Sequence, residues 1–382
     1  MTQNSTRGTL SDEEEFEYVS TASKEYLNYR QAVTYNDHRR SFIEWLETQG
    51  KEPDKETGYH DSTVTNYSHR QDKFYRWVWD RSGYTLQITH RHADDYMSQF
   101  AKDKLRKDNG DSYSGNHKRK TANAIESLFN WRAHEHGGES WSPDVTFSEK
   151  TLNKADAFTR TERQQLREAA LEYGTIPKYN DLSPEERDRW KAYLAQKLGK
   201  PKQDVSPDDW REVNRSWKIP SLVLTALDGG FRPVGIHRAD TSWYRSKKAV
   251  LAVPTEDLVK DGEQPEVALT DQTVSILNRW LTERQNYPEY DDTDALWLNR
   301  KGNRYNSDTL NYLLDNLCEE AGISRENRNI SWYSIRHSVG TYLVSEGNLA
   351  EAQAQLRHKS PETTMRYATP PPEERRDSLN NI

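Results

Sequence analysis

SWYSIRHSVGTYLVSEGNLAEAQAQLRHKSPETTMRY, Ser331 to Tyr367, is the stretch on which the reading of the chain turns. Ile335, Val339 and Leu343 recur at helical spacing and make one apolar face. That spacing predicts a helix over about Tyr333–Ser345, and a second follows over about Ala350–Arg357. The same stretch carries reactive groups. Arg336 and His337 lie on the first helix, and His358 and Tyr367 stand nine residues apart beyond it.

Upstream the period changes. Ala249–Val253 (AVLAV) and Pro265–Leu269 (PEVAL) read as short strands, joined by a polar connection that contains Lys260. Before them, Ile219–Leu227 (IPSLVLTAL) reads as a buried helix leading into GGFRP, where Arg232 sits. Further helices are expected at about Thr270–Glu283 and Ser307–Ala321. Another starts at the capping residues Thr159–Glu162 and runs to about Tyr173. Between it and Ile219 lies a polar segment of about residues 174–216, which holds one predicted helix, SPEERDRWKAYLAQKLG.

The N-terminal part reads as four amphipathic helices, at about Glu25–Thr48, Ser62–Asp80, Arg91–Lys107 and Ser114–His134. In the last, Ala122, Ile125, Leu128 and Phe129 form the apolar stripe, and Gly137 and Gly138 end it. The expected class is mainly α with a small antiparallel β-sheet (α+β), in two domains. The expected divisions are an acidic disordered lead-in (1–14), a helical domain (15–140), a polar linker (141–158), a second domain (159–370) and a tail (371–382).

Arg232, Lys260, Arg336, His358 and Tyr367 make chemical sense if they converge. Two guanidiniums can hold one phosphodiester through paired hydrogen bonds and stabilise the charge of its transition state. A tyrosine hydroxyl can then attack phosphorus in line. An ordinary phenol has a pKa of about 10, so only roughly one in a thousand is ionised at pH 7. It needs a proton acceptor or strongly positive surroundings, and His358 is a candidate for either. Lys260 on its loop could protonate the leaving oxygen. Taken singly, each has an ordinary reading: a surface arginine, a packed tyrosine, a helix-end histidine. The ordered set carries the argument.

With these residues in place, Ser331–Tyr367 resembles the C-terminal boxes of the tyrosine recombinase (phage integrase) family, where H-x-L-R-H is followed by L-G-H and the nucleophilic tyrosine. GGFRP resembles that family's first arginine box, the strand–Lys–strand unit its β-hairpin lysine, and the four N-terminal helices its core-binding domain. The resemblance implies a two-domain clamp around double-stranded DNA, a 3′-phosphotyrosyl intermediate on Tyr367 and a released 5′-hydroxyl. It also implies a homo-tetramer on DNA, with a monomer or weak oligomer when free, and no cofactor. The family's C-terminal segment often docks on a neighbouring subunit; here Leu379 and Ile382 are the tail's larger apolar groups.

Three residues depart from the pattern. Tyr333 stands where the family usually has His; a phenol donates well but is a poor base, which moves the basic role to His358. Gly235 replaces an acidic residue three after Arg232. Arg357 replaces the glycine before His358 and is a candidate phosphate contact. Lys247 and Lys248 compete with Lys260 for the general-acid role. The departures keep two alternatives open: a DNA-binding protein of this fold with weak or no catalysis, and a type IB topoisomerase-like enzyme.

The bulk properties set limits. Net charge is −7, which argues against nucleic acid as an average, although binding depends on local patches. Lys118, Arg119 and Lys120 (GNHKRK) at a helix start are the main candidate DNA contacts, and Arg39 and Arg40 (DHRRSF) a second patch. Only 33% of residues are apolar, but 12 Trp and 21 Tyr offset that with large buried areas. Cys318 is the only cysteine, so neither an internal disulfide nor a thiolate zinc site is expected. No metal is expected. No apolar run reaches the ~18 residues of a membrane span, and the N-terminus lacks a secretory pattern. A cytoplasmic location is the expectation.

Overall fold

The computed structural model describes residues 16–147, 155–254, 264–369, 375–376 and 379–380. It is mainly helical with one small antiparallel sheet. Its contacts divide it into two compact units, Met1–Leu152 and Asn153–Ile382. The expected lead-in, most of the tail, residues 148–154 of the expected linker and Lys260 lie outside the described residues.

The first unit holds a short turn, α1 (Thr21–Lys24), and four longer helices: α2 (Tyr29–Thr48), α3 (Asp61–Ser82), α4 (His90–Ala101) and α5 (Gly115–His136). Side-chain caps fix their starts. Asn28 and Gln31 form a capping box at α2, and Thr89 and His92 form one at α4. The apolar faces meet in an aromatic core that includes Phe42, Phe74, Tyr75, Tyr96, Phe100 and Trp131. α4 stops at Ala101, well short of the expected Lys107. Asp103 takes a left-handed conformation just beyond it and pairs with Lys118 on α5 at 2.7 Å.

A buried ionic hub lies between α2 and α3. Asp72, 2% exposed, accepts from Ser20, Ser23 and Tyr35 and pairs with Arg39 and Arg76. Arg39 also donates to the carbonyls of Tyr18 and Ser68 and to Gln71. Its reading as a DNA contact is therefore corrected: every face of its guanidinium is used inside the unit. Lys118 is corrected in the same sense, because it is buried and held by Asp103.

The second unit begins with α6 (Arg160–Glu172), capped by the Thr159–Glu162 box. Next come α7 (Pro184–Leu198), α8 (Pro207–Glu212), the almost wholly buried α9 (Lys218–Gly229) and the short α10 (Pro233–Arg238). The sheet follows: β1 (Tyr244–Arg245), β2 (Val250–Ala252) and β3 (Glu266–Ala268) in the order β1-β2-β3, with Leu251 opposite both Tyr244 and Val267. The chain then runs through α11 (Asp271–Arg284), α12 (Ser307–Glu320), α13 (Trp332–Ser345), α14 (Leu349–Leu356) and α15 (Pro361–Met365).

The polar segment 174–216 is part of this core. Trp190, Leu194, Val205 and Trp210 are buried in it. Glu283 of α11, fully buried, pins the end of the segment: its carboxylate accepts from the Ser216 hydroxyl, the Trp217 amide at 3.0 Å and the Tyr287 hydroxyl at 3.1 Å. Burial raises its pKa. The expected linker is also shorter than its polar composition implies. Trp141 packs on Phe129 and donates to Asp94, and Phe158 is fully buried in the second core.

Candidate active site

Each site residue is positioned by a local structural cause. α9 ends at Gly230, whose φ of +55° is the left-handed turn that glycine adopts without strain. A Cβ there would stand 2.6 Å from a methyl of Leu356, so this turn also needs glycine for close packing. Phe231 then turns into the core and leaves Arg232 outward, as the residue before Pro233 at the start of α10. Arg232 is exposed and makes no hydrogen bond or ion pair with the described residues.

Arg336 is the opposite case. It is 2% exposed, on α13, and its guanidinium donates to the carbonyls of Gly230 at 2.7 Å and Leu356 at 2.6 Å. Those carbonyls end α9 and α14, so one side chain ties three helices together. Arg336 also hydrogen-bonds Tyr367. Burial and the nearby Arg232 lower its pKa to about 10.

α14 closes at Arg357 with φ +55°, a conformation that disfavours any residue with a Cβ. The guanidinium of Arg357 lies over the Phe231 ring at 4.3 Å and donates to the carbonyls of Gly229 and Gln355. Burial, Arg336 and Arg232 lower it to about 9. Three guanidiniums thus gather around one spot, and none of them pairs with a carboxylate among the described residues.

Tyr367 follows α15 and sits in a slot made by Val339 and Leu356, with Gly340 beneath it. The His358 ring is parallel to its ring, 5.8 Å between centroids and 8° in tilt, and His337 flanks it at 5.2 Å. Nδ1 of His358 lies 2.8 Å from the Thr364 hydroxyl. Burial, then Arg336, Arg232 and Arg357, push His358 down to about 4, so the ring is neutral at pH 7.

Of the residues singled out from sequence, the structure brings Arg232, Arg336, Arg357, His358 and Tyr367 together. Tyr333 begins the same helix, is 45% exposed and adds to the electrostatic environment of Arg336. Lys248 pairs with Glu266 at 3.1 Å across the sheet, and Lys247 is exposed in the β1–β2 turn. In the first unit, Arg119 and Lys120 are exposed on α5, and exposed Arg40 pairs with Asp37. Gly340 and Thr364 escape the sequence reading, since a glycine and a threonine carry no signal alone; His337, read beside Arg336 on the same helix, flanks the Tyr367 ring. No group able to hold a metal ion occurs among the described residues, and no described helix is long and apolar enough to cross a membrane.

Residues 213–374 match the model of the Phage integrase family. The fold is similar to that of the XerH site-specific recombinase bound to its palindromic difH substrate in a post-cleavage complex. That likeness has a TM-score of 0.55 at 15% identity over 92% of this chain and 88% of that one. The pre-cleavage XerH–difH complex gives 0.54 at 16% identity, with the same shares covered. No curated protein matches the sequence significantly. The matched residues include the whole set around Arg336 and Tyr367, so the likeness of residues 213–374 to the Phage integrase family spans the candidate site.

Proposed function

We propose that the chain is a site-specific DNA recombinase or integrase that cleaves and rejoins strands through a covalent bond between Tyr367 and a 3′-phosphate. The observation that carries this reading is the cluster of Arg232, Arg336 and Arg357, with no carboxylate paired to it among the described residues, beside the Tyr367 phenol. Buried cations that lack an anion stay destabilised until one arrives. A DNA phosphodiester supplies that charge and lies within reach of the nucleophile.

In the proposed reaction Arg232 and Arg336 hold the phosphate. Arg336 is already oriented by two carbonyls, so little ordering cost remains when DNA binds. The Tyr367 hydroxyl loses its proton to solvent as its oxygen attacks phosphorus, the bond to the 5′-oxygen breaks, and that oxygen takes a proton. Lys260 is the proposed donor; Lys248, tied to Glu266, is less available. Tyr333 and Arg357 contact the phosphate or its neighbours. Rejoining reverses the step: a 5′-hydroxyl attacks the phosphotyrosine and the phenol leaves. The ester preserves the bond energy, so no cofactor enters. The proposed partners are double-stranded DNA, contacted in the first unit by Arg119, Lys120 and Arg40, and further copies of the chain in a tetramer.

The test is covalent capture. The full chain, incubated with nicked duplexes from the DNA flanking its own gene, should give a denaturation-resistant protein–DNA adduct. Tyr367→Phe should abolish the adduct and keep DNA binding. An undiminished adduct with Tyr367→Phe would overturn the reading. Tyr333 in place of a basic side chain favours a second reading, a DNA-binding protein of this fold with little catalysis. Tight binding without any adduct from the unaltered protein would select it.

A further inference from the structure

Thr364 is fully buried, and its hydroxyl lies 2.8 Å from Nδ1 of His358. This is the hydroxyl's only hydrogen bond among the described residues. A hydroxyl carries one proton and can also accept. In a buried position that proton needs an acceptor, and the Nδ1 lone pair is the one in reach. Thr364 can donate only if Nδ1 carries no proton, and the ring proton then sits on Nε2. The reverse arrangement, Nδ1–H to the threonine oxygen, leaves a buried hydroxyl proton unmatched. It would also present the Nε2 lone pair to an incoming phosphate, which repels it.

We propose that Thr364 is a positioning residue that fixes the Nε2–H tautomer of His358 and leaves that nitrogen as a hydrogen-bond donor to the phosphate beside Tyr367. The inference rests on the phosphate-binding reading of the site. Two further observations agree with it. Nε2 has no hydrogen bond among the described residues, so it is available to a ligand. The three guanidiniums and burial keep the ring neutral, so one nitrogen must lack a proton. It follows that His358 does not take the phenol proton. The basic role that the sequence suggests for it is replaced by a donor role, equivalent to one more hydrogen bond on the charge that develops at phosphorus.

The tautomer is measurable without DNA. The full chain labelled with ¹⁵N-histidine, with His358 assigned by its loss in His358→Gln, should show the Nε2–H pattern in long-range ¹H–¹⁵N correlation spectra. Thr364→Ser keeps the hydroxyl and should keep the pattern. Thr364→Val keeps the shape, should give a mixed or inverted pattern, and should slow single-turnover cleavage by at least about tenfold. Thr364→Ser should stay near the original rate. An Nδ1–H pattern in the unaltered protein sinks the proposal, and so does a Thr364→Val protein with pattern and rate unchanged. If Thr364→Val does not fold, the unaltered protein and Thr364→Ser still decide. Failure of Tyr367→Phe to abolish the adduct would instead sink the catalytic reading, which the tautomer measurement does not touch.

Discussion

Gly340 lies directly under the ring of Tyr367: a Cβ on residue 340 would stand 2.8 Å from both Cγ and Cδ1 of that ring, and 3.0 Å from a methyl of Leu356. Alanine in a helix interior gains about 1 kcal/mol over glycine, while overpacking a tight contact costs about 1–3 kcal/mol. The net is a loss of up to about 2 kcal/mol. Gly340→Ala should therefore lower the melting temperature modestly and displace the Tyr367 ring. Adduct formation should fall about a hundredfold or more with DNA affinity retained, as measured by trapping and by binding titration of the same preparation.

Arg336 serves two ends at once, and lysine cannot replace it. An ammonium lacks the planar fork that reaches the Gly230 and Leu356 carbonyls while still facing the phenol. Arg336→Lys should lose about 1–3 kcal/mol of folding stability through the poorly matched carbonyls and nearly all cleavage. Urea unfolding and adduct trapping read the two effects. A lysine variant with full stability and full cleavage would remove the dual role.

The first unit separates two kinds of arginine. Arg39→Ala removes one of the two arginines that pair with buried Asp72, together with its bonds to the Tyr18 and Ser68 carbonyls, and should cost about 3 kcal/mol, seen as a lower midpoint of unfolding. A double variant Arg119→Ala, Lys120→Ala should leave that midpoint unchanged. It should weaken DNA binding at low salt and lower the salt dependence by roughly two phosphate contacts.

Acid should destabilise both units. His38 and His117 in the first and His358 in the second are each pushed down to about 4, chiefly by burial, from the ordinary 6.5. The unfolded chain binds these protons first. The stability linked to them is therefore complete above about pH 6.5 and is lost as pH falls toward 4. Unfolding midpoints at a series of pH values should decline across that window. The decline should be shallower in His38→Gln, a neutral replacement.

The helices of the second unit are readable because their signals are local. Ile335, Val339 and Leu343 give α13, and Thr159 with Glu162 gives the start of α6. The convergence of Arg232, Arg336, His358 and Tyr367 is readable as an ordered set of reactive types. What sequence does not carry is decided by distant partners. Arg39 and Arg40 are neighbours in one basic patch, yet Asp72 on another helix takes the first into the interior and leaves the second outside. The early end of α4 depends on Asp103 meeting Lys118, and the short linker on where Trp141 and Phe158 find apolar contacts. Gly340 and Thr364 matter only through what packs on them.

The lobe pinned by Glu283 limits how this protein could be miniaturised. A shortened version that joins residue 173 directly to residue 217 would strip two tryptophans from the hydrophobic interior and leave the Glu283 carboxylate in water-free space without the Ser216 hydroxyl and the Tyr193 phenol that donate to it. Any compact derivative would have to re-cover α11 with a designed surface, because the stretch that composition marks as dispensable is the cover of that helix.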